Sequence, residues 1–386
     1  MVVIKSVDAK SIFDSRREKT IYVSIKTNVG VFGASSPNGK STGKYEARSY
    51  AKSLEEDIKM LKKFSGYFST DKIEKFDDLR RVEDVVDRQI GANTLFALES
   101  ALLKAIAKEK KKEIWEIINP NVKKFPRLVG NCIGGGKHSK SAKKPDFQEF
   151  LVIPNLKSVK ENWEKSKKLK EETKYLLKEK DEKFRGEKND EDAWSTSLNE
   201  KEVLDVIKKL DVNNFGIDVA ASSFFKRKKY YYGNPALDRT GEEQFEYLSN
   251  LIKNFNIFYI EDPFDEEDFE SFAKLLKKFP DSLIVGDDLT TTNPKRLEKA
   301  IKTKSINAVI IKPNQIGSLL KVKETCQLAK KNNIKIIFSH RSGETNETIL
   351  ADLAFGFGAD FFKCGITGKE REAKIKRLIQ IEKRLR

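Results

Sequence analysis

Ile257-Phe258-Tyr259-Ile260 runs into Glu261-Asp262, and Leu283-Ile284-Val285-Gly286 runs into Asp287-Asp288. Ala308-Val309-Ile310-Ile311 ends at Lys312, Ile336-Ile337-Phe338 at Ser339-His340-Arg341, and Phe361-Phe362 at Lys363. Each is a short, β-prone apolar run closed by a polar or charged residue. Positions 261, 287, 312, 340 and 363 stand 26, 25, 28 and 23 residues apart. The segments between them, such as Pro294 to Lys302 and Ser318 to Lys331, read as helices. That is the repeat of a strand–helix unit. Strands apolar along their whole length are buried on both faces, as when parallel strands close into a (β/α)8 barrel. In that architecture the C-terminal strand ends form the face that carries chemistry. An earlier run, Phe215-Gly216-Ile217, ends the same way at Asp218. One polar residue at a strand end can simply cap it. Six successive ends holding three acids, two lysines and a histidine point instead to a site.

Working outward, residues 1 to 125 read as a smaller α+β domain and 126 to 386 as the barrel domain. In the first, Ile21, Val23 and Ile25 alternate along a half-buried strand, and Val31-Phe32-Gly33 can pair back across a turn at Asn28 to Gly30. Leu54, Ile58 and Leu61 have helical spacing, and Asn93 is placed to cap a helix burying Leu95, Leu98, Leu102 and Ile106. After the strand pair comes a polar loop, Ser35 to Gly43, expected to be mobile. Residues 156 to 200, rich in Lys and Glu, read as surface helices and a loop inserted before the regular repeats.

The 386 residues carry 75 Lys and Arg against 59 Asp and Glu, a net charge of +16, and 38% are hydrophobic. Disorder along the whole chain is excluded, because apolar runs recur from end to end. No run of about 18 apolar residues is present to span a membrane, and the N-terminus lacks a signal-peptide pattern. Cys132, Cys326 and Cys364 fit no zinc spacing, and their odd number points to a reducing, cytoplasmic location. The positive charge has two readings. Lysine interleaved with glutamate is a solvated helix face; a purely basic stretch, such as Asn121 to Pro145, can meet nucleic acid or steer an anionic substrate.

Asp218, Glu261 and Asp287 would repel one another at a barrel mouth unless a cation lay between them, and three oxygen donors suit a hard divalent ion such as Mg2+. Beside that cation the Lys312 ammonium would be disfavoured, so its pKa should fall and it could act as a base; an ion pair with the same acids is the competing reading. Lys363, His340, Arg341 and Ser342 would ring the other side, with Arg341 and Ser342 as an oxyanion grip. His138 and His340, the only two histidines, both lie in glycine- or serine-bearing loops. A divalent ion, a lysine base and further carboxylic acids match the pattern of enolase-superfamily sites, in which a proton is removed α to a carboxylate.

The motifs carry the match further. They are Phe13-Asp14-Ser15-Arg16, Pro37-Asn38-Gly39-Lys40-Ser41-Thr42-Gly43, Gly135-Gly136-Lys137-His138 and Asp146-Phe147-Gln148-Glu149-Phe150, followed by Asp218-Val219-Ala220-Ala221-Ser222, Ile260-Glu261-Asp262-Pro263-Phe264 and Gly286-Asp287-Asp288-Leu289, with Ile311-Lys312-Pro313-Asn314-Gln315 and Ser339-His340-Arg341-Ser342-Gly343-Glu344 at the end. On these the sequence resembles the enolase family, the phosphopyruvate hydratases, over nearly its whole length. The resemblance implies an enolase-type barrel and reversible dehydration of 2-phosphoglycerate to phosphoenolpyruvate in glycolysis. It implies two Mg2+ ions, one held by Asp218, Glu261 and Asp287, the second arriving with substrate and bound with help from Ser41. Lys312 would be the base at C2, and Lys363 would stabilise the carboxylate that results. Glu191 would be the general acid, with Glu149 beside it and His138 closing over the leaving group. Arg341 and Ser342 would hold the phosphate, supported by His340. A small anionic phosphorylated substrate and a homo-oligomer, dimeric or larger, are implied as partners.

This sequence also departs from the family pattern. Arg17-Glu18-Lys19 replaces a turn with Gly and Pro, and Asn38 and Lys40 stand where small residues are usual. Asp192 and Ala193 replace two glycines after Glu191, so the backbone must change there if those glycines need a left-handed conformation. The added carboxylate of Asp192 should disfavour an ionised Glu191, and a shifted register would make Glu187 the acid. The chain ends at Arg386 without the family's usual C-terminal tail, which bears on dimer contacts. Two other readings follow: an enolase-like protein with altered or lost activity, and one that binds nucleic acid through its basic surface.

Overall fold

A computed structural model describes residues 1–40, 42–64, 66–68 and 72–385. The N-terminal strands Val2–Phe13 and Lys19–Thr27 pair antiparallel, Gly30–Ser35 folds back on the second, and Lys72–Ile73 joins the free side of the first. Helices Leu54–Phe64, Leu79–Val86 and Ala92–Lys110 follow in the chain, and the last of these packs on the sheet. The alternation of Ile21, Val23 and Ile25 is explained by this packing: all three are fully buried.

One capping expectation is corrected. Gly91, not Asn93, is the N-cap of helix Ala92–Lys110. Asp57, buried on helix Leu54–Phe64, accepts from Gly91 N at 2.7 Å and Thr94 Oγ1 at 2.6 Å, and so does the work of a capping side chain. A Cβ on Gly91 would come within 2.2 Å of the Tyr50 backbone, so the chain passes there without a side chain. Asn93 is left free to face the barrel, and on the apolar face Leu95 is half-buried where full burial was expected.

The barrel strands, numbered along the chain, are β1 (Arg127–Gly134), β2 (Glu149–Val152), β3 (Phe215–Asp218), β4 (Tyr259–Glu261), β5 (Leu283–Gly286), β6 (Ala308–Ile311), β7 (Lys335–Ser339) and β8 (Phe361–Lys363). They form one closed ring in that order, sealed by parallel pairing of β8 with β1. Val129, Leu151, Tyr259, Val285, Ile310 and Ile337 fill the interior. A second apolar layer, including Ile217, Ile260, Val309 and Phe338, lies between strands and helices.

Successive parallel strands were expected, and β2 is the exception. It runs antiparallel to both β1 and β3. The connection between β1 and β2 holds only a short helical turn, Gly136–His138, where a parallel return calls for a full crossover, usually a helix. Reversal brings the first residue of β2, Glu149, to the same end of the barrel as Asp218, with which it is paired in register.

Residues 156–200 are also corrected. Helix Val159–Lys180 is not an inserted surface piece: Val159, Trp163, Leu169, Thr173 and Leu177 are buried on one stripe, and the helix packs on β1 and on the last helix, Lys369–Leu385. A few well-spaced apolar residues suffice to bury one face, so the Lys- and Glu-rich composition reports only the outer face. Trp194–Ser195 then pairs parallel with the end of β1. No helix among the described residues is long and apolar enough to cross a membrane.

Candidate active site

The mouth of the barrel gathers most of the residues singled out in the sequence. Lys363, the last residue of β8, places its ammonium 2.9 Å from Asp218, 2.8 Å from Glu261 and 3.1 Å from Glu149. All four side chains are buried. Burial alone would lower the Lys363 pKa, but the three carboxylates outweigh it and hold it well above the usual range. Burial, then the charge of Asp218, pushes Glu261 up to about 8. Tyr259 donates to Glu261 Oε2 at 2.6 Å, and Gln148 reaches Asp218 Oδ2 at 3.4 Å.

Asp287 lies one residue past β5 and Lys312 one residue past β6, and the two form an ion pair. This is the competing ion-pair reading of Lys312, whereas the lowered pKa was expected beside a bound cation. Burial is the largest single influence and lowers its pKa, but the Asp287 charge together with smaller acidic contributions such as Glu261 outweighs it, and the ammonium is raised. In turn Asp287 is lowered, with burial opposing and Lys312 prevailing. Gln315 donates to the other Asp287 oxygen at 3.2 Å. Asp262 fixes the local backbone by accepting from the amides of Asp287 at 3.0 Å and Asp288 at 2.7 Å.

A second cluster faces these residues across the cavity. Glu191 Oε1 stands 3.4 Å from His138 Nδ1 and 3.5 Å from His340 Nε2, and Asn131 donates to Glu191 Oε2 at 3.0 Å. Burial pushes His138 down and takes His340 to about 3, with the charge of Glu191 opposing it at both. Burial, then the charge of Glu191, raises Glu149 well above the carboxylate range. Glu191 itself lies low: burial opposes its charge, but His138, His340 and Arg371 outweigh it. Glu149 and Glu191 thus form a buried, coupled pair whose carboxyl groups are pushed in opposite directions.

The substitutions after Glu191 are accommodated. Asp192 takes the left-handed conformation with φ 66°, the one a glycine would adopt freely. Its carboxylate turns away from Glu191 to Lys170 at 3.0 Å, Lys188 at 2.9 Å and the hydroxyl of Thr367. Glu191 is lowered rather than raised, and Asp192 is not among the leading influences on it. Asn189 Oδ1 receives the amides of Glu191 at 3.0 Å and Ala193 at 2.9 Å, which shapes the turn. Glu187 is exposed and does not line the cavity that holds Glu191.

At the third side of the mouth, the Arg341 guanidinium is held by Glu46 at 3.0–3.1 Å and by Asn314 Oδ1 at 3.2 Å. Ser342 Oγ accepts from Arg16 at 2.7 Å. Ser41 lies outside the described residues.

The acid-lined mouth fits a divalent ion by its donor chemistry. Asp218, Glu261 and Asp287 are buried carboxylates neutralised here only by the two lysines, and Glu261 Oε1 has no hydrogen-bond partner among the described residues. The groups whose donor atoms all converge within 4.8 Å among the described residues are not this trio but Asp262, Asp287 and Asp288, and His138, Glu149 and Glu191.

Comparison with known proteins agrees with this geometry. The family model described as "Enolase, N-terminal domain" matches residues 4–118, and "Enolase, C-terminal TIM barrel domain" matches residues 123–386. The chain belongs to the enolase family. It is 36% identical over 405 residues to the enolase of Pyrobaculum aerophilum, covering 96% of this chain and 94% of that protein. It is equally 36% identical to the enolase of Methanosphaera stadtmanae over 408 residues, covering 99% of this chain and 97% of that one.

Within this enolase-family site, several contributors escaped sequence reasoning. Gln148 and Gln315 are each close in sequence to a recognised residue, Glu149 and Lys312, which is a usable signal. Asn131, Glu46 and Arg371 carry none, because they arrive from distant parts of the chain. Arg371 donates to the carbonyls of Ser342 at 2.7 Å and Asp190 at 3.2 Å, tying the loop of Arg341 and Ser342 to the loop of Glu191.

Proposed function

We propose that this chain is a working hydro-lyase that reversibly dehydrates 2-phosphoglycerate to phosphoenolpyruvate, as in glycolysis. The observation that carries the reading is a single buried cavity lined on one side by Lys312 and on the other by the Glu149–Glu191 pair. Lys312 Nζ takes the C2 proton. Glu191, in its protonated form with Glu149 beside it, protonates the departing C3 hydroxyl, so acid and base work on opposite sides of the substrate. Lys363 compensates the charge that develops on the substrate carboxylate. His138 shields the leaving-group side, while Arg341, Ser342 and His340 form the phosphate end. Asp218, Glu261 and Asp287 would hold Mg2+, with a second ion joining alongside substrate and Ser41. Bound there, the metal supplies Lewis-acid stabilisation of the carboxylate.

The reading of altered or lost activity rested on the substitutions around Glu191 and at Arg17 to Lys19; Asp192 and Arg17 both adopt left-handed conformations, with φ of 66° and 63°, which supports those substitutions being accommodated. We take residues 1–125 and 126–386 as the two domains. Cytoplasmic residence and assembly into a dimer or larger homo-oligomer complete the proposal, supported by the family alone. The test is formation of phosphoenolpyruvate from 2-phosphoglycerate with Mg2+, against an EDTA control; sedimentation of the same sample tests assembly.

A further inference from the structure

The cavity between Lys312 and Glu191 has a volume of about 30 Å3, room for about one water. A three-carbon phosphate ester cannot enter without movement of the lining. Beyond His138 and Asp190 lies a second cavity of about 630 Å3, lined by Lys140, Lys143, Lys183 and Lys188. The contact that stands between them is an ion pair. Lys40 lines the small cavity and pairs with Asp190, the residue directly before Glu191. The two side chains are 31% and 13% exposed, so the pair is only partly screened by water.

Both partners sit on anchored segments. Asn38 exchanges two backbone hydrogen bonds with Gly343, at 2.8 and 2.9 Å. Gly39 packs so closely on Arg341 that a Cβ there would lie 1.7 Å from its guanidinium. On the other side, Arg371 holds the Asp190 carbonyl. Lys40 therefore extends from a backbone already seated on the phosphate side and fastens it to the acid side.

We propose that Lys40 is a positioning residue whose ion pair with Asp190 latches the segment around Asn38 to Lys40 onto the loop carrying Glu191, so that closing the cavity and seating the general acid are one event. The idea rests on the reading of Glu191 as the acid. The lysine-lined cavity behind the latch is then the approach for an anionic substrate.

Two measurements test it. In metal-free protein, trypsin should cleave after Lys40 at least about fivefold faster in Asp190→Asn than in wild type, with cleavage elsewhere and Tm unchanged; equal rates would overturn the latch. In turnover, Lys40→Gln and Asp190→Asn should each lower kcat for dehydration about five- to tenfold, the scale of one partly screened pair. Both should leave exchange of the C2 proton within about twofold of wild type, a split that a general structural defect would not give. The double variant should lose no more than the worse single one, and losses that multiply would contradict the coupling. If wild type itself forms no phosphoenolpyruvate, the functional reading fails, while the trypsin comparison still decides the latch.

Discussion

The ammonium of Lys312 is ion-paired with the carboxylate of Asp287, a contact between the ends of neighbouring barrel strands. The proposed base and a proposed metal ligand thus neutralise each other in this structure. Burial is the stronger single influence on Lys312 and acts to lower its pKa; the Asp287 charge, with smaller acidic contributions, tips the balance upward. Whatever draws the Asp287 charge away releases Lys312 toward a neutral, proton-accepting amine.

Lys312→Ala should abolish exchange of the C2 proton of 2-phosphoglycerate, with kcat lowered at least about 10³-fold. Mg2+ affinity should be kept or improved, because Asp287 loses its competing ammonium. Proton exchange followed by NMR, beside a calorimetric Mg2+ titration, checks both; persistent exchange would remove Lys312 as the base.

Glu191→Gln should block dehydration while leaving measurable C2 exchange, since the base lies across the cavity. Glu187→Gln should change kcat less than about twofold, because Glu187 is exposed outside that cavity. Comparing product formation with exchange in both variants separates the two candidates.

These assignments show how far the sequence could be read. The barrel was legible because strands buried on both faces leave apolar runs at a regular spacing, each ending in a residue of the mouth. The reversal of β2 was not, because a four-residue apolar strand looks the same in either direction. Glu149 reaches the mouth only through that reversal. The buried stripe of helix Val159–Lys180 was hidden by its many outward lysines and glutamates. At the site, the residue types were legible but the pairings were not. The Lys40–Asp190 contact spans 150 positions and the Arg341–Glu46 contact spans 295, and no local pattern encodes either.

Asp287→Asn should weaken Mg2+ binding by about 10- to 100-fold, since it removes a ligand charge from a buried site. The titration isotherm reads this directly; an unaltered isotherm would exclude Asp287 from the metal site and turn attention to Asp262 and Asp288.

Asp192→Ala should cost about 1–2 kcal/mol of stability, by stripping buried Lys170 of its carboxylate and leaving alanine in a left-handed conformation. The pH dependence has a definite sign. Burial raises the Asp192 pKa, but Thr367, Lys188 and Lys170 outweigh it, so the folded-state value is lowered. Its stabilisation is therefore present above the unfolded carboxyl value of about 3.9 and lost as pH falls through the folded one. Urea midpoints of wild type and variant should stand furthest apart at neutral pH and draw closer below about pH 4, leaving the pH-independent backbone difference.

The central claim is that one cavity holds a working base and a working acid on opposite sides. Its most direct test is to incubate the purified protein with Mg2+ and 2-phosphoglycerate and follow the absorbance of phosphoenolpyruvate, with EDTA as control. Steady, Mg2+-dependent product formation is the predicted result. No product from protein that binds Mg2+ by calorimetry would contradict it.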